Sequence, residues 1–144
     1  MYSQRVRNVI ELKKLLIAAP HTTVSEAAKL MAKAKVSALL VLDNEALVGI
    51  FTERDAVSRV IAEDRDVATT QLSEVMTQNP KTIASEKTFG YALLMMYENH
   101  FRHVPVVEDG RVIGIVSARN ALDPELEEFV AESHRREQIL RANA

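Results

Sequence analysis

Apolar and polar positions along the chain change their period several times, and each change marks an element. From Arg5 to Lys14, Val6, Val9 and Ile10 sit among charges at partial helical spacing, which predicts a short leading helix. Leu15-Leu16-Ile17-Ala18-Ala19, stopped by Pro20, predicts a brief buried strand. Thr23-Val24-Ser25-Glu26 has the spacing of a capping box, so a helix should start there. Its apolar face is Val24, Ala27, Ala28 and Met31, and it should run to about Lys35. Ala38 to Leu42 and Leu47 to Phe51 are continuous apolar runs on either side of Asp43-Asn44-Glu45. They read as a strand pair buried on both faces. After Thr52 a second helix should carry Ala56, Val57, Val60 and Ile61 on one side and end near Ala62.

Glu63 to Ser73 is polar and joins two halves, because the same plan then begins again. A shift of 65 positions without a gap carries Ile10 to Val75, Thr23 to Thr88, Val24 to Phe89, Met31 to Met96 and Gly49 to Gly114. Apolar character is kept even where identity is not, as a shared fold requires. The expected organisation is a first repeat over residues 1–66 with its leading helix, a second over 67–123, and a C-terminal helix over 124–144. Asp123 would cap that helix with Pro124 in its first position. Leu126, Phe129, Val130, Ile139 and Leu140 would form an interrupted apolar stripe among its charges. A half of about 60 residues has little core of its own. The two should therefore pack together about a pseudo-two-fold axis as one α/β (α+β) domain.

Composition narrows the functional classes. With 18 Lys+Arg against 20 Asp+Glu the net charge is −2, so nothing drives the chain toward nucleic acid or an anionic membrane. No apolar run approaches the roughly 18 residues of a membrane span, and no signal-peptide pattern is present, so a cytoplasmic protein is expected. The absence of Cys removes disulfides, thiol nucleophiles and thiolate metal sites.

The candidate chemistry lies where Gly49-Ile50-Phe51-Thr52-Glu53-Arg54-Asp55 returns as Gly114-Ile115-Val116-Ser117-Ala118-Arg119-Asn120. Each copy is an apolar strand that ends in a hydroxyl residue and turns into a helix. Unpaired amides at a helix start suit an anion. Thr52 or Ser117 can bond a phosphate oxygen, and Asp55 or Asn120 the hydroxyls of a ribose. The same residues are also good helix caps, so capping alone would account for them. Arg54 and Arg119 can reach a phosphate or pair with local acids, and Ala118 and Asn120 beside Arg119 carry no charge. Gly49 and Gly114 suit close packing of strand and helix. His100 and His103 lack a suitably spaced carboxylate for a metal site. Met31, Met95 and Met96 read as core filler.

Phe101-Arg102-His103-Val104-Pro105-Val106-Val107, followed by Gly110-Arg111-Val112-Ile113-Gly114-Ile115-Val116-Ser117, resembles the typical stretch of a cystathionine-β-synthase-type (CBS) domain. Ser73-Glu74-Val75-Met76-Thr77, with Pro80 and Thr82, resembles the start of a second repeat. The chain is thus similar to a tandem CBS pair, or Bateman module, of the stand-alone bacterial type. That resemblance implies two β-α-β-β-α repeats, a flat homodimer, and regulatory binding of AMP, ADP, ATP, NAD(H) or S-adenosylmethionine. It puts the ribose at Asp55 and Asn120, and hydroxyls beside the phosphate at Thr52 and Ser117. Arg102 and His103 would face phosphate, with Ser37 and Ala38 as their first-half equivalents. Adenine would lie near Ile17 and Ala18, or Thr82 and Ile83. Unequal clefts are expected, the one using Asp55 binding more tightly. The rival reading is a ligand-free module for interaction or oligomerisation that acts through its last helix on an unknown protein partner. A third, an enzyme, lacks a nucleophile–base pair or metal set in the sequence.

Overall fold

The protein is described by a computed structural model covering residues 2–10 and 15–143. The first round of elements is helix α1 (Val6–Val9), strand β1 (Ile17–Ala18), helix α2 (Val24–Ala34), strands β2 (Ala38–Asp43) and β3 (Ala46–Thr52), and the helical turn α3 (Glu53–Asp55), which widens into a π-helix over Ala56–Ile61. The second is α4 (Leu72–Val75), β4 (Thr77–Gln78), β5 (Ile83–Ala84), α5 (Phe89–Asn99), β6 (His103–Glu108), β7 (Arg111–Ser117) and α6 (Arg119–Ala142). One sheet has the order β1-β2-β3-β4 and the other β5-β6-β7. The helix α2 and strands β2 and β3 recur as α5, β6 and β7 at the 65-residue offset, down to a register shift at Val41/Leu42 that returns at Val106/Val107.

Local chemistry accounts for the shared ends. The capping box at α2 forms, with Thr23 Oγ1 accepting from the Glu26 amide at 3.2 Å and Glu26 Oε2 accepting from the Thr23 amide at 3.4 Å. Thr88 caps α5 in the same way, accepting from the Tyr91 amide at 3.2 Å. Both helices stop on a left-handed residue, Lys35 and His100. Asn44 and Glu45, both at positive φ, close the β2–β3 turn. On β2, Leu39 and Val41 pack into the first-half core while Ala38 and Leu40 pack against Val112 and Ile115 of the second half. Both faces are covered, so the run does not alternate.

Each half completes its core with the segment that precedes the other half. Val6 and Ile10 are buried with Phe89, Ala92, Met96, Val104, Val106 and Val116 of the second half. Leu72, Val75 and Met76 are buried in the first-half core with Leu39, Val41 and Phe51. Backbone bonds hold the exchange: the Val6 amide donates to Lys87 O at 2.8 Å, and the Leu72 amide to Thr22 O at 2.8 Å. The glycines serve this packing. A Cβ on Gly114 would meet Ile10 Cδ1 at 2.9 Å, and one on Gly49 would overlap Met76 Sδ. Ile10 therefore corresponds to Met76, where the gapless shift had placed Val75. Ala18 opposite Val41 and Ile83 opposite Val106 stand at equivalent register positions 65 residues apart, so the run from Ile10 to Ala18 is one residue longer than the run from Met76 to Ile83.

Three other expectations need correction. The helix after Thr52 is π-helical from Ala56 to Ile61, with the Ala62 amide reaching back five residues to Val57 O at 2.8 Å. The wider turn buries Val60 fully but leaves Val57 and Ile61 exposed. The last helix does not begin at Asp123-Pro124. It starts at Arg119 and continues through Pro124, which has no N–H to offer Asn120 O. On α2, Ala28 faces solvent, since Val24, Ala27 and Met31 already span the contact with the sheet. The leading helix, read as far as Lys14, spans Val6–Val9, and residues 11–14 lie outside the described residues.

Candidate functional site

The two strand-to-helix turns meet across the pseudo-dyad. Each is pinned to the residue leading into its neighbouring strand: the Glu53 amide donates to Ser37 O at 3.0 Å, and the Ala118 amide to Arg102 O at 3.0 Å. Thr52 pairs with Ala38 on the β2–β3 ladder, and Ser117 with His103 on β6–β7. Sequence positions far apart thus converge. A cavity of about 1160 Å³, open to solvent, is lined by Ser37, Thr52, Glu53, Arg54, Arg102, His103, Ser117, Ala118 and Arg119. A second, of about 690 Å³, adjoins it and is lined by Leu15, Lys35, Val36, Ser37, Ala38, His103, Ile115, Ser117, Arg119 and Asn120. Ser37, His103, Ser117 and Arg119 belong to both walls.

The two halves touch directly between these cavities. Ser37 Oγ and His103 Nε2 share a hydrogen bond at 2.9 Å. Burial pushes His103 below its usual value of 6.5, and the nearby Arg102 and Arg54 guanidinium groups push the same way. The ring is therefore neutral at pH 7. Arg54 and Arg102 make no ion pair among the described residues, whereas Glu53 supplies one carboxylate to the larger cavity.

The two turns are not equivalent. Asp55 is buried at 7% exposure; its Oδ2 accepts from the Thr52 amide at 3.0 Å, and Oδ1 lies 3.7 Å from Arg59 Nε. Thr52 Oγ1 accepts from the Asp55 amide at 3.2 Å, so this pair forms a complete capping box. At the second turn Asn120 Oδ1 accepts from the Ser117 amide at 2.8 Å and from Ser117 Oγ at 3.3 Å. Asn120 lines the smaller cavity, while Asp55 is among the walls of neither.

Of the sequence candidates, Thr52, Arg54, Arg102, His103, Ser117, Arg119, Asn120, Ser37 and Ala38 line one or both cavities. Ile17, Ala18, Thr82 and Ile83 line neither: Ala18 and Ile83 are core residues, and Ile17 is 47% exposed on the end of β1. Leu15, Lys35, Val36 and Ile115 line the smaller cavity without having been singled out. Strand alternation carried a signal for Ile115, which shares a face of β7 with Ser117. Among the described residues no group of three His, Asp or Glu side chains is placed to hold a metal, and no helix is long and apolar enough to cross a membrane.

Known proteins share this arrangement. A CBS domain model matches residues 6–62 and 72–124. The CBS domain-containing protein CBSCBSPB1 of Arabidopsis thaliana is 42% identical over 120 residues, which is 83% of this chain and 22% of the relative. The chain thus spans about a fifth of the length of that relative. An uncharacterized conserved protein from Pyrococcus horikoshii superposes with a TM-score of 0.80 at 28% identity, covering 87% of this chain and 94% of the other. The CBS domain pair of protein MJ0100, solved with 5′-methylthioadenosine and S-adenosyl-L-methionine, gives a TM-score of 0.73 at 28% identity, covering 82% and 96%. With the family model matching both halves of a duplicated α+β fold, this chain belongs to the CBS domain family as a tandem pair of repeats.

Proposed function

We propose that this chain is a non-catalytic regulatory module that binds a phosphorylated adenosine ligand, of the class AMP, ADP, ATP or NAD(H), between its halves. The observation that carries the reading is the continuity of the two cavities. Leu15, Val36, Ala38 and Ile115 give the smaller one apolar walls for a base, with Asn120 beside them for a ribose. The larger one gathers Arg54, Arg102 and Arg119 with the hydroxyls of Thr52 and Ser117, and among its described lining residues Glu53 is the one carboxylate. Such a set favours phosphate. S-adenosylmethionine, one of the ligands of the MJ0100 pair, carries a positive sulfonium and no phosphate, so three guanidinium groups disfavour it here.

A ligand that contacts both halves stabilises the arrangement it fits best, and it signals through a second copy or a partner protein. Phosphate oxygens beside His103 favour the imidazolium that burial otherwise opposes, so binding takes up a proton.

The test is calorimetric titration of the nucleotide-stripped chain with AMP, ATP, NADH, S-adenosylmethionine and 5′-methylthioadenosine, repeated on Arg102→Ala. Micromolar binding of a phosphorylated ligand is expected. Loss of one charge-assisted contact should weaken it about tenfold, from roughly 1.5 kcal/mol, and leave methylthioadenosine unchanged. Equal binding of AMP and methylthioadenosine, with no effect of Arg102→Ala, would overturn the phosphate assignment. Heat from none of the five would favour the ligand-free interaction module.

A further inference from the structure

Helix α6 carries a row of uncovered apolar side chains. Leu126, Phe129, Val130 and Leu140 are 56%, 68%, 47% and 70% exposed. Leu126, Phe129, Ser133, Arg136 and Leu140 follow one another in steps of three and four, the spacing of a coiled-coil seam. Val130 borders that seam and Ile139 falls outside it. Charge is divided along the same helix: five acids and no base lie between Asp123 and Glu132, whereas three arginines and one acid lie between His134 and Ala144. A parallel neighbour of the same sequence would set like charges side by side. An antiparallel one sets the acidic part against the basic part.

We propose that α6 pairs with α6 of a second copy, antiparallel, about a two-fold axis at Ser133. The small side chain there lets the helices approach closely at their crossing. In this register Leu126 meets Leu140 of the partner subunit and Glu125 meets Arg141 of the partner subunit. Val130 lies under the aliphatic stem of the partner subunit's Arg136. Two-fold symmetry repeats every such contact. Glu132, already bonded to Arg135 at 2.7 Å and Arg136 at 3.4 Å, brings no unbalanced charge to the centre. Arg119 and Asn120 are the first two residues of α6 and also line the smaller cavity, so the seam joins the cavities of two copies through continuous helix. The pairing does not depend on which ligand those cavities take.

The chain has no cysteine, so introduced thiols report on this contact alone. Oxidised Ser133→Cys should give a disulfide-linked dimer. An equimolar mixture of Leu126→Cys and Leu140→Cys should cross-link, while neither does so by itself. In sedimentation equilibrium Glu125→Arg or Arg141→Glu should each weaken association by up to about thirtyfold, since the symmetric dimer loses two rim pairs worth up to ~1 kcal/mol each, and the double variant should restore it. Circular dichroism on each variant confirms an intact helix. No cross-link at Ser133→Cys would overturn the proposal, as would self-cross-linking of Leu140→Cys, which requires parallel helices, or a charge-swapped double variant as weak as the singles.

Discussion

Substitution Val6→Ala probes whether the leading helix truly belongs to the core of the opposite half. Val6 is 0% exposed and sits in the cluster with Phe89, Ala92 and Val104. The change removes two buried methyl groups at about 0.8 kcal/mol each. The cavity they leave adds to this, because the main chain on both sides is fixed by the Val6 amide to Lys87 O and the Arg7 amide to Ser85 O. A loss of about 2 kcal/mol in unfolding free energy is expected, read by urea denaturation at constant slope. Double-mutant cycles then locate the effect. Val6→Ala with Phe89→Leu should show coupling of at least ~0.5 kcal/mol, whereas with Phe51→Leu, in the first-half core, the effects should add to within ~0.3 kcal/mol. Coupling to Phe51 and additivity with Phe89 would refute the exchange, and so would a Val6→Ala effect on the scale of an exposed residue.

Other substitutions test the glycines, the titrating group and the ribose position. Gly49→Ala forces Met76 out of its place in the first-half core and should cost about 1–3 kcal/mol, while Gly114→Ala, meeting only the tip of Ile10, should cost less in the same urea titration. His103 is held below its unfolded value, so the unfolded chain binds the extra proton first as pH falls. Its contribution is therefore level above the usual 6.5 and stability is lost below it. The urea midpoint should drop on acidification from pH 7.5 to 5.5, and His103→Gln should flatten that part of the profile. Asn120→Asp keeps the acceptor that Ser117 uses and makes the bond to a ribose hydroxyl charge-assisted. Calorimetry with AMP should show about fivefold tighter binding, on the order of 1 kcal/mol; weaker binding would place the ribose elsewhere.

How far the chain could be read in advance depended on the range over which each feature is decided. The capping box at Thr23, the hairpin closed by Asn44 and Glu45, and the 65-residue repeat are written within a turn or a few residues, and all three stand in the structure. Thr52 and Asp55 illustrate the boundary. Their three-residue spacing suited both a capping box and a ligand site; Arg59 follows Asp55 by one helical turn, and what only the tertiary structure adds is that Arg59 also donates to Val75 O and Met76 O, which holds it there. The π-helical turn was equally hidden, since one added residue per turn leaves no mark in a short apolar pattern.

By itself the sequence determined a duplicated α+β unit, the caps of α2 and α5, and most of the residues that carry charge or hydroxyls into the clefts, Lys35 and Glu53 excepted. Those follow from periodicity, which acts over neighbouring positions. Tertiary structure alone decided that α1 completes the second half and α4 the first, that Ser37 bonds His103 across the dyad, and that Arg54, Arg102 and Arg119 line one cavity. Each of these joins segments far apart in the chain, and local pattern carries no record of which distant surface a buried side chain will meet.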